Sequence, residues 1–499
     1  MTQELAADPA LGRLADAVLI PPFPGGREPD WIRAALTDGL AGVTLFGLNV
    51  QDNRQLAALT ARLRAATAEP IIAIDEEGGD VTRISHQTGS DYPGNAALGA
   101  IDDIGLTTSV YAALGADLAA LGINLDLAPA VDVNTAAVNP VIGTRSFGAD
   151  PDLVARHAAA AVTGLQSAGV AACAKHFPGH GSTTLDSHLV LATVDAPMSV
   201  LRTRDLPPFE AAIAAGVRAI MPSHLRVPEL TGELPASLSR RALTDLLRGE
   251  LGFTGVIVSD GLEMRAVSEK YGIPEAAVQA VMAGTDLLCL GRDQDQESFL
   301  AVKAALMAAV RSGRLPGERL EAAAARVAEL RAWTLAAWQV PAEDRAGSAG
   351  ASAIGLVAAR RAVEVSGSLP APGRPLVVQL VPPSNIAAGA VPWGLSPFVP
   401  PDSYREISTD THPADLAGEV SAVLAAAAGR TLIIVVRDAH RHPGAIAAVE
   451  ELLAARPDAV VVEMGLPVWR PASGGYVASY GAARSNSRAV AEIFGLAAP

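Results

Sequence analysis

The chain has 499 residues, half of them hydrophobic, which is enough for two or three domains and a large buried core. Its 38 Lys and Arg residues are outnumbered by 53 Asp and Glu, giving a formal net charge of −15. That balance argues against broad nucleic-acid or anionic-membrane binding, both of which need clustered positive charge.

The amino-terminal stretch MTQELAADPALGRLADAVLI carries acidic residues where a signal peptide would carry basic ones, and no window approaches the roughly 20 uninterrupted apolar residues of a spanning helix. The expected location is cytoplasmic. From residue 17 onward, short apolar runs recur at 17–21, 42–46, 71–75, 123–129, 172–176, 218–224, 256–260 and 286–291. Between them lie segments of helical periodicity such as 53–67 and 152–169. Near-continuous apolar strands alternating with helices indicate βα units whose parallel sheet is buried on both faces. Eight such units predict a closed (β/α)8 barrel. The two cysteines, Cys173 and Cys289, fall inside these runs and are expected to be reduced core residues.

Several runs end in polar residues: Asp75, Lys175 with His176, His224, and Asp260. In a βα barrel all strands open their carboxyl ends on one face, so residues distant in sequence converge there. The helix-forming segment 316–338 closes the barrel region, and the small, Gly-rich stretch 341–353 reads as a connector. These signals divide the chain into a barrel over 1–340, a linker over 341–353 and a second domain over 354–499. That domain opens with a helical reading of 354–367 and continues with strands at 375–381, 431–439 and 459–465, the pattern of a smaller three-layer α/β sandwich. The histidine-rich RDAHRHPG at 437–444 reads as a strand-end loop.

The segment AACAKHFPGHGSTTLDSH, residues 171–188, concentrates titratable groups in a stretch broken by Pro and Gly. One reading is a metal site using His176, His180, Asp186 and His188, although the His-Phe-Pro-Gly-His spacing cannot set both histidines on one helical face. Another is a set of loop polars that satisfy backbone groups. The third is an acid/base pair: in Asp186-Ser187-His188, an extended backbone would point the carboxylate and the imidazole the same way, and such a histidine exchanges a proton near neutral pH. A nucleophile is then needed, and Asp260 in GVIVSDGLEMRAV is the candidate, with helix N-capping as its competing role. IIAIDEEGGDVTRI adds Asp75 and Arg83, and NPVIGTRSFG adds Arg145. Carboxylates, Lys, Arg and His around one mouth suit a polyhydroxylated ligand held by charged hydrogen bonds.

INLDLAPAVDVN, NPVIGTRSFG, KHFPGHG-x4-DSH and the strand ending SDGLEM, in this order, resemble the family 3 glycoside hydrolases, specifically their β-N-acetylhexosaminidase branch. The resemblance covers roughly residues 10–335, and GYVASYGAARSNSRAVAEIFG extends it loosely into the tail. It implies a retaining mechanism with Asp260 as nucleophile, His188 as general acid and base in place of the usual second carboxylic acid, and Asp186 tuning that histidine. It implies that Asp75, Arg83, Arg145, Lys175 and His176 bind the sugar, that no metal or cofactor takes part, and that the partner is a small carbohydrate; it assigns His224 nothing. Two departures stand out. The family commonly has Asp-Gln-Glu-Gly-Gly-Arg where this chain has DEEGGD, so Glu76 and Asp80 replace Gln and Arg. Release of N-acetylglucosamine from muropeptide-like or chitooligosaccharide fragments is the expected activity. A phosphorylase on the same scaffold, and a non-catalytic sugar-binding protein, stand as alternatives.

Overall fold

The computed structural model describes residues 8–187, 189–339, 351–370, 373–383, 386–410 and 413–498. It divides into two compact units: residues 1–77, 107–141 and 149–351 form the first, and residues 78–106, 142–148 and 352–499 the second. Two stretches from the amino-terminal half of the sequence therefore pack as part of the second unit. The connector read at 341–353 lies largely outside the described residues, and from residue 351 the backbone is helical.

The first unit is a barrel. Its strands are β1 (Leu19–Ile20), β2 (Gly42–Leu45), β3 (Ile71–Ile74), β4 (Leu125–Asp126), β5 (Ala171–Phe177), β6 (Ala219–Pro222), β7 (Val256–Ile257) and β8 (Leu288–Cys289). β2 to β7 form one parallel sheet in sequence order, and β1 pairs parallel with β8. Two seams close the ring: Val258 bridges Leu287 beside β7 and β8, and Thr44 of β2 donates its N–H to Pro21 O beyond β1. The expected eight-stranded architecture is present, with strands shorter than their apolar runs because several runs continue as loop backbone that pairs through isolated bonds.

The alternation inside the strands decides what reaches the mouth. Ile71 and Ala73, Ala171 and Cys173, and Val256 and Val258 belong to one buried cluster that also takes in Leu125, Leu127, Ala219 and Met221 from the neighbouring strands. Since strand side chains repeat every second residue, the next positions on that face are 75, 175 and 260. The expected helices fall at Asn53–Ala66, Pro151–Ser167 and Gly317–Gln339. Asp52 and Asp150 cap the first two by accepting the N–H of Gln55 and Asp152, satisfying donors that a helix start leaves open. At the amino-terminal end of β8, the buried Asp286 accepts from Ile257 N at 3.0 Å, Arg319 at 3.0 Å, Arg326 at 3.3 Å and Arg248. This tie lies at the strand ends opposite the mouth, where barrels keep stabilising rather than reactive groups.

The second unit is a three-layer sandwich. Its six strands are β9 (Glu364–Ser366), β10 (Leu376–Val381), β11 (Tyr404–Ser408), β12 (Leu432–Val436), β13 (Val460–Glu463) and β14 (Gly475–Ala478), in the order β11-β10-β12-β13-β14-β9 with only β9 antiparallel. Alternate residues feed opposite faces: Val378, Ile434 and Val461 pack against Val420, Val449 and Leu452, while Val377, Ile433 and Val460 pack against Val490 and Phe494. Three strands exceed the sequence reading. Residues 364–366, expected to be helical, instead pair with β14, because the helix Ala351–Ala362 stops short of the β-branched Val363-Glu364-Val365 run.

Glu463, at the end of β13, is fully buried and accepts the N–H groups of Asp438, Ala439 and Gly465. Burial first, and then the Asp438 charge, push its carboxyl up to about 8, the three N–H donors offsetting part of that rise. The folded unit thus holds a proton there that the unfolded chain releases near the ordinary Glu value of about 4.3. Stability is therefore expected to fall as pH rises from about 4.5 to 8. Thermal unfolding followed across that range should show the decline, and Glu463→Gln should flatten it; an unchanged slope in the variant would remove Glu463 as its source.

Candidate active site

Five polar side chains stand at the carboxyl ends of four barrel strands. Asp75 follows β3, Lys175 and His176 lie in the last turn of β5, His224 follows β6, and Asp260 follows β7. Lys175 is almost wholly buried, and its ammonium bridges Asp75 Oδ1 at 2.6 Å and Glu77 Oε1 at 2.7 Å. The Asp75 side chain keeps 22% of its surface exposed against 3% for Glu77, so of this trio Asp75 is the member turned to solvent. Lys175, Asp75, Asp126 and Asp260 all act on the buried Cys173 thiol, which burial foremost pushes far above its ordinary value. Cys173 and Cys289 are both free and buried.

Asp260 is partly exposed, and its Oδ1 accepts the Gly261 N–H at 2.8 Å. Helix N-capping is not its role: the following helix runs Arg265–Tyr271 with Met264 at its N-cap. His224 is tied to structure, its Nδ1 against Ser237 Oγ at 2.6 Å and its Nε2 against Gly261 O at 3.0 Å. Through that second bond His224 steadies the backbone next to Asp260.

The loop after β5 is built on Asp132, which is fully buried. Its Oδ2 meets His176 Nδ1 at 2.8 Å, and its Oδ1 accepts the backbone N–H of His176 at 3.2 Å and of His180 at 2.7 Å. Burial opposes the Asp132 charge, but His176 and then His180 outweigh it and hold the carboxyl below the ordinary carboxylate range. Gly181 is required where the loop turns, since a Cβ there would stand 1.9 Å from Val133 O. The His180 ring is hydrogen-bonded at both nitrogens, Nδ1 to Thr183 Oγ1 at 3.0 Å and Nε2 to Ser187 Oγ at 2.8 Å. With His176 Nδ1 also engaged, three of the imidazole nitrogens considered as metal ligands are used in protein hydrogen bonds. Among the described residues, no three His, Cys, Asp or Glu side chains gather in a metal-binding arrangement.

Asp186 is half-buried, and its carbonyl accepts from Leu189 N and Val190 N, both at 3.1 Å. The segment therefore turns at Asp186, rather than running extended as the alternation argument for 186–188 assumed. Two short i+3 and i+4 bonds to one carbonyl are incompatible with a strand. His188 lies outside the described residues.

Arg83 and Arg145 belong to the second unit. Arg83 donates to Ala387 O at 3.0 Å, and Arg145, nearly buried, accepts at its carbonyl from Asn95 Nδ2 at 2.7 Å. Asp80, the departure noted in the sequence, is not a loose charge. Its Oδ2 accepts from Thr144 Oγ1 at 2.6 Å and Arg437 Nη2 at 2.9 Å, and its Oδ1 from Ala482 N at 3.2 Å. Asp80 thereby fastens the turn Gly143–Arg145, and with it the Arg145 backbone, to the loops that follow β12 and β14. Asp80→Arg would set two guanidiniums together with the Thr144 and Ala482 donors unmet, and should cost about 3–5 kcal/mol. Denaturant unfolding should register that loss, and Arg437→Asp added to it should return part; an additive second loss would contradict the pairing.

Sequence reasoning missed Glu77, Asp132, His180 as a structural tie, and Ser187. The signal for Glu77 was present, as it lies two residues beyond Asp75. Asp132 appeared only inside a motif, because its partners lie more than 40 residues away.

A (β/α)8 barrel with charged strand ends at one mouth is the architecture of many barrel enzymes. The sequence profile of the glycosyl hydrolase family 3 N terminal domain matches residues 27–330. The chain belongs to glycosyl hydrolase family 3. A Beta-hexosaminidase A from Pseudoalteromonas piscicida is 36% identical over 318 residues, 58% of this chain and 53% of the relative, so the match spans about half of that protein's length. A Beta-hexosaminidase from Stenotrophomonas maltophilia is 38% identical over 269 residues, 52% of this chain and 78% of its own. The solved family 3 beta-N-acetylglucosaminidase from Paenibacillus sp. superimposes with a TM-score of 0.86 at 32% identity, covering 98% of this chain and 97% of that one. Among the described residues no helix is long and apolar enough to cross a membrane.

Proposed function

We propose that the protein is a retaining exo-β-N-acetylglucosaminidase that releases N-acetylglucosamine from muropeptide-like or chitooligosaccharide fragments in the cytoplasm. The observation that carries this reading is the strand-end constellation: Asp260 partly open beyond the end of β7, with Asp75 after β3 ion-paired to Lys175 near the end of β5, which Glu77 also holds. The names of the relatives support the choice of sugar.

In this reading Asp75, Lys175 and His176 hold the hydroxyl and acetamido groups of the terminal sugar, and Arg83 and Arg145 are sugar-binding residues by resemblance alone. An Asp260 carboxylate oxygen attacks the anomeric carbon as the bond from that carbon to the leaving oxygen breaks, and His188 gives that oxygen its proton. Water then attacks the anomeric carbon, His188 takes a proton from it, and the bond to Asp260 breaks, returning both groups to their starting states. Two inversions yield retained stereochemistry. Asp186 orients the imidazole and favours its protonated form. The barrel performs the chemistry, and the 354–499 domain has a structural or aglycone-contacting role.

The test is to incubate the purified chain with an aryl β-N-acetylglucosaminide, with and without inorganic phosphate, and identify the sugar. Free N-acetylglucosamine in both buffers is expected. N-acetylglucosamine 1-phosphate would make the protein a phosphorylase, and no product would turn the reading toward another sugar or toward binding alone.

A further inference from the structure

His180 has no part in the chemistry just described, yet it is among the most heavily bonded side chains of the barrel mouth. It is 2% exposed. Its backbone is fixed on both sides, the N–H by Asp132 Oδ1 at 2.7 Å and the carbonyl by Asn139 Nδ2 at 2.9 Å. The ring stands edge-on to His176 with centroids 5.9 Å apart. From this fixed base the imidazole reaches forward across its own loop to Thr183 Oγ1 and Ser187 Oγ.

Each ring nitrogen faces a hydroxyl that can either give or take a hydrogen, so both neutral tautomers keep the Thr183 and Ser187 contacts together. The Thr183 hydroxyl also lies 3.2 Å from His180 O and 3.5 Å from Leu185 O. Ser187 is the residue between Asp186 and His188, and Leu185, Leu189 and Val190 around it are 54%, 46% and 46% exposed. Apolar side chains left in water give this tip little packing of its own, so the side-chain bonds hold more of its position.

We propose that His180 is a positioning residue: by clamping Ser187 from a base anchored on Asp132, it holds the loop at Asp186–Ser187 and so governs the proton transfer that the reading above assigns to Asp186 and His188. The proposal rests on the acid/base reading given above. Misplacing a catalytic group by about 1 Å costs on the order of 10²-fold in rate, so loss of the clamp should appear in proton transfer and not in sugar binding.

The experiment measures kcat/KM for a series of aryl β-N-acetylglucosaminides whose phenols range from acidic to weakly acidic, in the full chain, Ser187→Ala, His180→Gln, the double variant and His188→Ala. Ser187→Ala removes only the clamped hydroxyl and keeps the fold measurable if His180→Gln does not. Expected for Ser187→Ala is a loss of about 10- to 100-fold on weakly acidic phenols, a several-fold smaller loss on the most acidic phenol, and partial rescue of turnover by azide, which needs no general base. The double variant should be no worse than the poorer single one, because both break the same link. A loss equal across all phenols, with a matching fall in melting temperature, would make the clamp purely structural and overturn the proposal. Should His188→Ala itself fail to depend on the phenol, the acid/base reading fails instead. Dependence in His188→Ala without any in Ser187→Ala defeats the clamp alone.

Discussion

Asp260→Asn is expected to lower turnover of an aryl β-N-acetylglucosaminide by on the order of 10⁴-fold or more, whatever the leaving group. The change is nearly isosteric, and Asn keeps a carbonyl oxygen to accept the Gly261 N–H now received by Asp260 Oδ1. What it loses is the negative charge that stabilises an oxocarbenium-like transition state and the oxygen that forms the covalent bond. Melting temperature and KM should therefore stay close to those of the unaltered chain while kcat collapses. Residual activity above one hundredth, in protein free of unaltered enzyme, would move the nucleophile to another carboxylate of the mouth.

The second large effect separates substrates by leaving group. His188→Ala should lose about 10²- to 10⁴-fold in kcat/KM on poorly leaving, weakly acidic phenols, the usual worth of general acid catalysis, and much less on dinitrophenyl substrates, whose departure needs no proton. Asp186→Asn should follow the same trend with smaller amplitude, since the imidazole remains and only its orientation and charge preference are weakened. The plot of log(kcat/KM) against phenol pKa should steepen in both variants. Parallel lines would mean that neither residue takes part in proton transfer to the leaving group.

The barrel was legible because its strands are buried on both faces and read as unbroken apolar runs. The same alternation that puts Ala73, Cys173 and Val258 in one cluster carries Asp75, Lys175 and Asp260 to one end of it, so the mouth follows from period two and strand order. The sandwich was less legible. β11 spells Tyr-Arg-Glu-Ile-Ser at an edge where most side chains face solvent, and β14 begins with a glycine, so neither has the hydrophobic density of β10, β12 and β13. β9 is a short antiparallel edge whose pairing with β14 spans more than 100 residues. The packing of residues 78–106 and 142–148 into the second unit leaves no local trace at all, because it depends on contacts such as Asp80 with Arg437, 357 positions apart in number. His180 illustrates the opposite failure. Its residue type was conspicuous, but a ring that clamps a loop and a ring that binds a metal are identical in sequence, and only the positions of Thr183 and Ser187 separate them.

The central claim is that Asp260 becomes covalently bonded to the anomeric carbon of N-acetylglucosamine. A 5-fluoro-β-N-acetylglucosaminyl fluoride tests it most directly: the ring fluorine slows both steps by destabilising the oxocarbenium-like transition states, and the fluoride leaving group restores only the first. Intact-protein mass spectrometry should show one added fluoro-N-acetylglucosaminyl group, and digestion should place it on the peptide containing Asp260, with no adduct on Asp260→Asn. Labelling of a different carboxylate, or steady turnover of the fluoride with inverted product and no adduct, would contradict the account.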